Sequence, residues 1–184
     1  FEAGQTVFGE NYIQEARDKF NALYTYSVSW HFIGHLQSNK SKYAVGIFDL
    51  IHTVDSLKLA REIDKQAKKI NKVQKVLIQV NISEEATKSG ISSNETLRLI
   101  REMRQFENIS VRGLMTMPPY FDEPEKARPF FRALRKLRED IQEARIPGIS
   151  MEALSMGMTG DFEVAIQEGA TLVRIGTAIF GERE

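Results

Sequence analysis

The chain has 184 residues and balances 25 Lys+Arg against 25 Asp+Glu, with an isoelectric point near 7.1. That balance excludes electrostatic binding to a nucleic-acid backbone, which needs a cationic excess or a basic stripe. A hydrophobic share of 42% with no Cys excludes global disorder, a disulfide frame, a thiolate nucleophile and a Cys-based zinc site. No apolar run approaches the roughly 18 residues of a membrane span, so neither nucleic acid nor membrane is an expected partner. This length suits one core and one domain, residues 1–184.

The opening Phe1-Glu2-Ala3-Gly4 carries no Met and no signal-peptide pattern. It reads as the last turn of a helix with its glycine C-cap, so further sequence is expected upstream and a cytoplasmic location is expected. A first strand, Thr6–Gly9, leads to a helix with Ile13, Ala16, Phe20 and Leu23 on one stripe. Strands follow at Trp30–Gly34 and Leu50–Thr53. Asp55 or Ser56 can cap the next helix, whose apolar face is Leu57, Ala60, Ile63, Ala67 and Ile70. After the strand Val76–Asn81, Ser92 and Glu95 have capping-box spacing before Leu97, Ile100 and Met103. The strand Val111–Thr116 runs into the loop Met117-Pro118-Pro119-Tyr120. Pro129 fits the first turn of a helix bearing Phe130, Leu134, Leu137 and Ile141, where its missing N–H costs nothing. The strand Ser150–Ser155, the helix Asp161–Glu168 and the strand Leu172–Gly176 complete the order.

Short β-branched strands that alternate with amphipathic helices imply right-handed crossovers and a parallel sheet. No GxGxxG follows any strand, so a dinucleotide-binding open sheet lacks support. Seven strands in 184 residues, starting at the tail of a helix, predict an α/β fold of the (β/α)8 TIM-barrel type. Its first strand–helix unit is expected to lie outside the chain, with strands two to eight within it. Such an open barrel exposes two strand edges and is expected to be unstable or adhesive.

In a barrel the chemistry belongs at the carboxyl ends of the strands, and the last two strands often hold a phosphate. Here Ser155 ends the penultimate strand, with Gly157 and Gly160 leading into a helix, and Gly176 and Thr177 follow the last strand. Glycine lets backbone N–H groups approach an anion and the hydroxyls add donors. Each loop alone reads as an ordinary βα turn; the two together leave that reading and an anion site both open. Arg174 is embedded in the apolar run Leu172-Val173-Arg174-Ile175. Its permanent charge needs an acceptor, either an internal ion pair with Glu152 or a ligand in the barrel mouth. His31, His35 and His52 do not form a metal-ligand set, and no metal is expected. Met115, Met117, Met156 and Met158 suit core filling or a soft wall for an aromatic ligand. No G-x-S-x-G elbow supports a serine triad, and Glu10 alone supplies no carboxylate pair.

Five blocks carry a family resemblance. Phe8-Gly9-Glu10-Asn11-Tyr12-Ile13-Gln14-Glu15 and Trp30-His31-Phe32-Ile33-Gly34-His35-Leu36-Gln37-Ser38-Asn39-Lys40 resemble two motifs of the pyridoxal phosphate homeostasis proteins. Gly113-Leu114-Met115-Thr116-Met117, Leu154 through Phe162 and Val173 through Gly181 resemble three later ones, so the likeness spans the chain. The resemblance implies a single barrel like the N-terminal domain of alanine racemases. It also implies bound pyridoxal 5′-phosphate (PLP, the vitamin B6 cofactor) and a role in buffering or delivering it without established catalysis. PLP-dependent apoenzymes are the implied recipients, and the full-length protein is expected to be a monomer. A racemase-like PLP enzyme acting on amino acids is the alternative. Carried over residue by residue, the phosphate falls to Ser155, the Met156–Gly157 turn, Gly176 and Thr177. Arg174 faces the pyridine nitrogen, Asn11 lies near the ring, and Met115 lines the pocket. The family's Schiff-base lysine maps upstream of Phe1, so no catalytic residue is assigned within the chain.

Overall fold

The computed structural model describes residues 1–85 and 88–182. Its strands are β1 (Val7–Glu10), β2 (Ser29–Phe32), β3 (Leu50–Val54), β4 (Gln74–Asn81), β5 (Ile91–Ser92), β6 (Ile109–Met115), β7 (Ala153–Met158) and β8 (Leu172–Arg174). The helices are α1 (Ile13–Ala22), α2 (Ser41–Ile47), α3 (Leu57–Lys69), α4 (Ser93–Met103), α5 (Arg128–Glu143), α6 (Phe162–Gln167) and α7 (Thr177–Phe180). The sheet order is β1-β2-β3-β4-β6-β7-β8, parallel throughout, with the two-residue β5 paired to the end of β4. Strand–helix alternation therefore builds the nearly closed barrel that the sequence predicts. The outer sides of β1 and β8 have no strand partner among the described residues.

The sheet separates two apolar layers because successive strand side chains point to opposite faces. Phe32, Ile51, Ile78, Leu114 and Leu154 face outward against the helices and join the main core with Ile63, Ile100 and Leu134. Leu50, Leu77 and Met115 face inward and form a separate cluster with Ala153 and Leu172. Helix ends follow local chemistry: Ser56 Oγ accepts from Leu59 N at 3.4 Å, and Ser92 Oγ donates to Glu95 at 3.0 Å. Glu168, at the end of α6, takes ion pairs from Arg128, Arg132 and Arg135 of α5. That clamp ties α6 to α5 and so fixes the loop between β7 and α6.

Three details differ from expectation. The seventh strand begins at Ala153 rather than Ser150 and runs on to Met158: Ser150 N still donates to Val111 O at 3.2 Å, but the regular ladder with β6 starts at Gly113, past the unpaired Arg112. The short strand β5 and helix α2 were not expected. Each is too short to show periodicity, and tertiary contact sets them: Ile91 registers with Val80, and Ser41, Ala44 and Val45 are buried.

Candidate functional site

The tips of β1, β2 and β3 are bound tightly to one another. Ile33 N donates to Glu10 O at 2.9 Å and Thr53 Oγ1 donates to Gly34 O at 2.7 Å. Gly34 lies so close to the Asn11 backbone that a Cβ there would overlap Asn11 O. Asn11 itself is exposed at the mouth. Across the barrel, Met115 ends β6 in the inward cluster and registers with Ser155 of β7.

Ser155 and Arg174 are brought together. Arg174 Nη1 donates to Ser155 Oγ at 2.6 Å and Nη2 donates to Thr116 O at 2.9 Å. Ser155 is fully buried, and its Oγ also lies 2.9 Å from Nδ1 of His52, on the far side of the barrel. His52 Nε2 in turn lies 3.0 Å from His31 Nδ1. Burial pulls the Arg174 pKa down to about 10, with Asp161 opposing, so the guanidinium stays charged at neutral pH. Glu152 is not its partner. That carboxylate is exposed just before β7, where it accepts from Arg112 at 2.7 Å and from Ser150 at 2.7 Å. Among the described residues no carboxylate pairs with Arg174.

Gly176 and Thr177 meet a different residue. Gly176 N donates to Thr159 Oγ1 at 3.3 Å, and Thr177 Oγ1 lies 3.4 Å from the same oxygen. Thr159 was not singled out in the sequence, although its place after the penultimate strand, opposite Thr177, carried the signal. Gly157, at φ +91°, packs so tightly that an added Cβ would meet Ala165 Cβ at 2.5 Å. Met156 is buried in the outer core, so its side chain points away from the barrel interior and only its backbone can serve the mouth. The site thus has two parts: an interior cation held by Ser155, and a rim of hydroxyl and N–H donors.

His31 and His52 were also missed as part of the site. Their signal was the presence of imidazoles at inward positions of strands that are otherwise apolar; β3 is buried along its whole length. Burial is the main cause that lowers both pKa values, with His31 and then Arg174 adding to the effect on His52. For His31, Asp49 opposes the shift and Lys75 adds to it. The folded values therefore lie below the unfolded value of about 6.5. The stability is complete above that pH and is lost as pH falls through the interval down to the folded values. In that interval the unfolded chain binds protons that the folded chain refuses. The expected loss is up to about 1.4 kcal/mol per pH unit for each histidine. Urea denaturation at a series of pH values checks this; a flat profile between about pH 6.5 and 5 would contradict it.

The family described as "Alanine racemase, N-terminal domain" matches residues 1–184. The "Pyridoxal phosphate homeostasis protein" of Aquifex aeolicus is 50% identical over 184 residues, covering 100% of this chain and 80% of that protein. The protein of the same name from Pasteurella multocida is 44% identical over 186 residues, covering 100% and 79%. The structure of PipY from Synechococcus elongatus with PLP bound superposes with a TM-score of 0.89 at 34% identity, covering 98% of this chain and 84% of that one. An alanine racemase of Clostridium difficile, at 16% identity and a TM-score of 0.79 over 46% of its length, shares the fold. The chain belongs to the alanine racemase N-terminal domain family and, within it, to the pyridoxal phosphate homeostasis proteins.

Proposed function

We propose that this barrel binds pyridoxal 5′-phosphate and that the protein serves PLP homeostasis by holding and delivering the cofactor. One observation carries this reading: Arg174 is a charged donor inside the barrel with only neutral acceptors, Ser155 Oγ and Thr116 O. Such a charge calls for an acceptor ligand. The residues fit the group. Thr159, Gly176 and Thr177 at the rim suit a phosphate; Arg174 suits a ring nitrogen; Met115 suits an aromatic face; and Asn11 stands at the mouth. Ser155 goes to the ring end, because its hydrogen bonds run to Arg174 and His52 rather than to the rim.

When bound, PLP supplies an aldehyde and an electron-withdrawing ring. Arg174 modulates that chemistry. A guanidinium that only donates holds the ring nitrogen unprotonated, which weakens the ring as an electron sink and favours storage over catalysis. The relatives' printed role and the PLP bound to PipY support this reading. On this reading residues 1–184 act as one barrel domain of a cytoplasmic, monomeric protein. PLP-dependent apoenzymes receive the cofactor. No helix among the described residues is long and apolar enough to cross a membrane.

The test is retention of PLP by the purified protein after dialysis, read by cofactor absorbance. Thr159→Ala and Thr177→Ala are each expected to weaken retention about tenfold, the loss of one charge-assisted hydrogen bond. Undiminished retention in both removes the phosphate from this rim.

A further inference from the structure

The four side chains Arg174, Ser155, His52 and His31 form one continuous hydrogen-bonded line through the barrel interior. β3 and β7 are not neighbours in the sheet, since β4 and β6 stand between them. The bond between His52 and Ser155 therefore crosses the interior rather than following a strand pair.

The direction of this line follows from its first member. A guanidinium has donors only, so Ser155 Oγ must accept from Arg174. The serine hydroxyl has one hydrogen, and His52 Nδ1 is the acceptor within reach at 2.9 Å. His52 Nδ1 is then unprotonated, and its ring proton sits on Nε2, where it donates to His31 Nδ1 at 3.0 Å. Each bond points away from Arg174. The opposite tautomer places two hydrogens between Ser155 and His52 and leaves one hydroxyl hydrogen without an acceptor in a dry interior, which costs about 1–3 kcal/mol. Burial disfavours the doubly protonated ring, and the facing His31 and the Arg174 charge add to that. The charged groups nearest the far end, Asp49 and Lys75, act on His31 with opposite signs.

We propose that His52 and His31 are positioning residues of the cofactor site: a one-way hydrogen-bond relay holds the Ser155 hydroxyl hydrogen on His52 Nδ1, which aims the Oγ lone pairs at Arg174 and so fixes the plane of the guanidinium against the cofactor ring. This rests on the reading that the barrel holds PLP. With Nη1 on Ser155 and Nη2 on Thr116 O, two of the five guanidinium N–H donors are used. The other three are presented in a defined plane. Without the relay the Ser155 hydroxyl hydrogen has no fixed acceptor, its Oγ lone pairs are no longer held toward the guanidinium, and that plane is lost.

The test has two arms. In the first, nitrogen-15 NMR of the histidine rings reports the tautomer of the unaltered protein without cofactor. The proton is expected on Nε2 of both His52 and His31 at about pH 7, and a proton on Nδ1 of His52 overturns the relay. The second arm is PLP retention together with the absorbance maximum of the bound cofactor. His52→Phe removes the acceptor and is expected to lower retention about three- to tenfold and to shift the maximum. His52→Gln keeps an acceptor and a donor on one side chain and is expected to restore both. If His52→Phe matches the unaltered protein while Thr159→Ala and Thr177→Ala still weaken binding, the relay is wrong and the PLP site stands. If none of these substitutions changes retention, the site reading and the relay fall together. Should His52→Phe not fold, the tautomer and His52→Gln still decide the case, since a Gln variant without cofactor overturns the relay.

Discussion

Replacing Arg174 with methionine is expected to leave the fold standing while retention of PLP falls about ten- to a hundredfold. The loss corresponds to one charge-assisted contact to the ring, about 1.5–3 kcal/mol. The fold itself is insulated by a cancellation. The substitution removes donors to Ser155 Oγ and Thr116 O, at 2.6 and 2.9 Å. It also ends the desolvation of a cation that no described carboxylate pairs with, and swapping buried charge for apolar volume is often neutral or stabilising. The net change in unfolding free energy is expected to lie within about 1 kcal/mol. Ser155 keeps His52 as an acceptor, so the interior is not left with an orphan hydroxyl. Equilibrium dialysis and urea denaturation on the same preparations check the two halves. Cofactor retention equal to that of the unaltered protein would place Arg174 outside the site, and a loss of several kcal/mol would show that its role is structural.

What the sequence disclosed and what it concealed divide along a physical line. The parallel barrel was legible because each strand and helix announces itself within ten or so residues. The stripe Leu57, Ala60, Ile63, Ala67 and the buried run of β3 are local patterns. The rim was half legible, since Gly176 and Thr177 follow a strand directly; Thr159 meets them only after the β7–α6 loop folds back. Of the interior line only the imidazoles within apolar strands were legible, not the contacts that join them. His52 and Ser155 are 103 positions apart, and their contact exists only because the sheet curls until β3 and β7 face each other. A long guanidinium hides its partner for the same reason. Glu152 resembled a partner in sequence because it is also embedded in a strand-like run, yet it lies just before β7 on the surface, paired with Arg112.

Substituting Gly113 with alanine is expected to cost more than about 4 kcal/mol, a large part of the 5–15 kcal/mol that holds a typical domain folded. The reason begins with parity. Val111 and Leu114 both pack outward against the helices, although they are three residues apart, which strict alternation forbids. The register shows how this is done: Val76 pairs with Val111 and Leu77 with Gly113, so Arg112 is an extra residue on β6. This bulge returns Met115 to the interior beside Leu77 and Leu50. Gly113 completes it with φ +155° and lies directly against the backbone of Ala153, where an added Cβ would overlap the carbonyl oxygen. Neither atom can yield without parting β6 from β7, and β7 carries Ser155. Gly148→Ala is the internal comparison, because φ is also positive there, at +80°, but no atom lies within 4 Å of the added carbon. It is expected to cost only about 1 kcal/mol. Circular dichroism and urea denaturation of the two variants decide the matter: a Gly113→Ala protein as stable as Gly148→Ala would mean that the bulge tolerates a side chain and does not set which face of β6 meets the cofactor site.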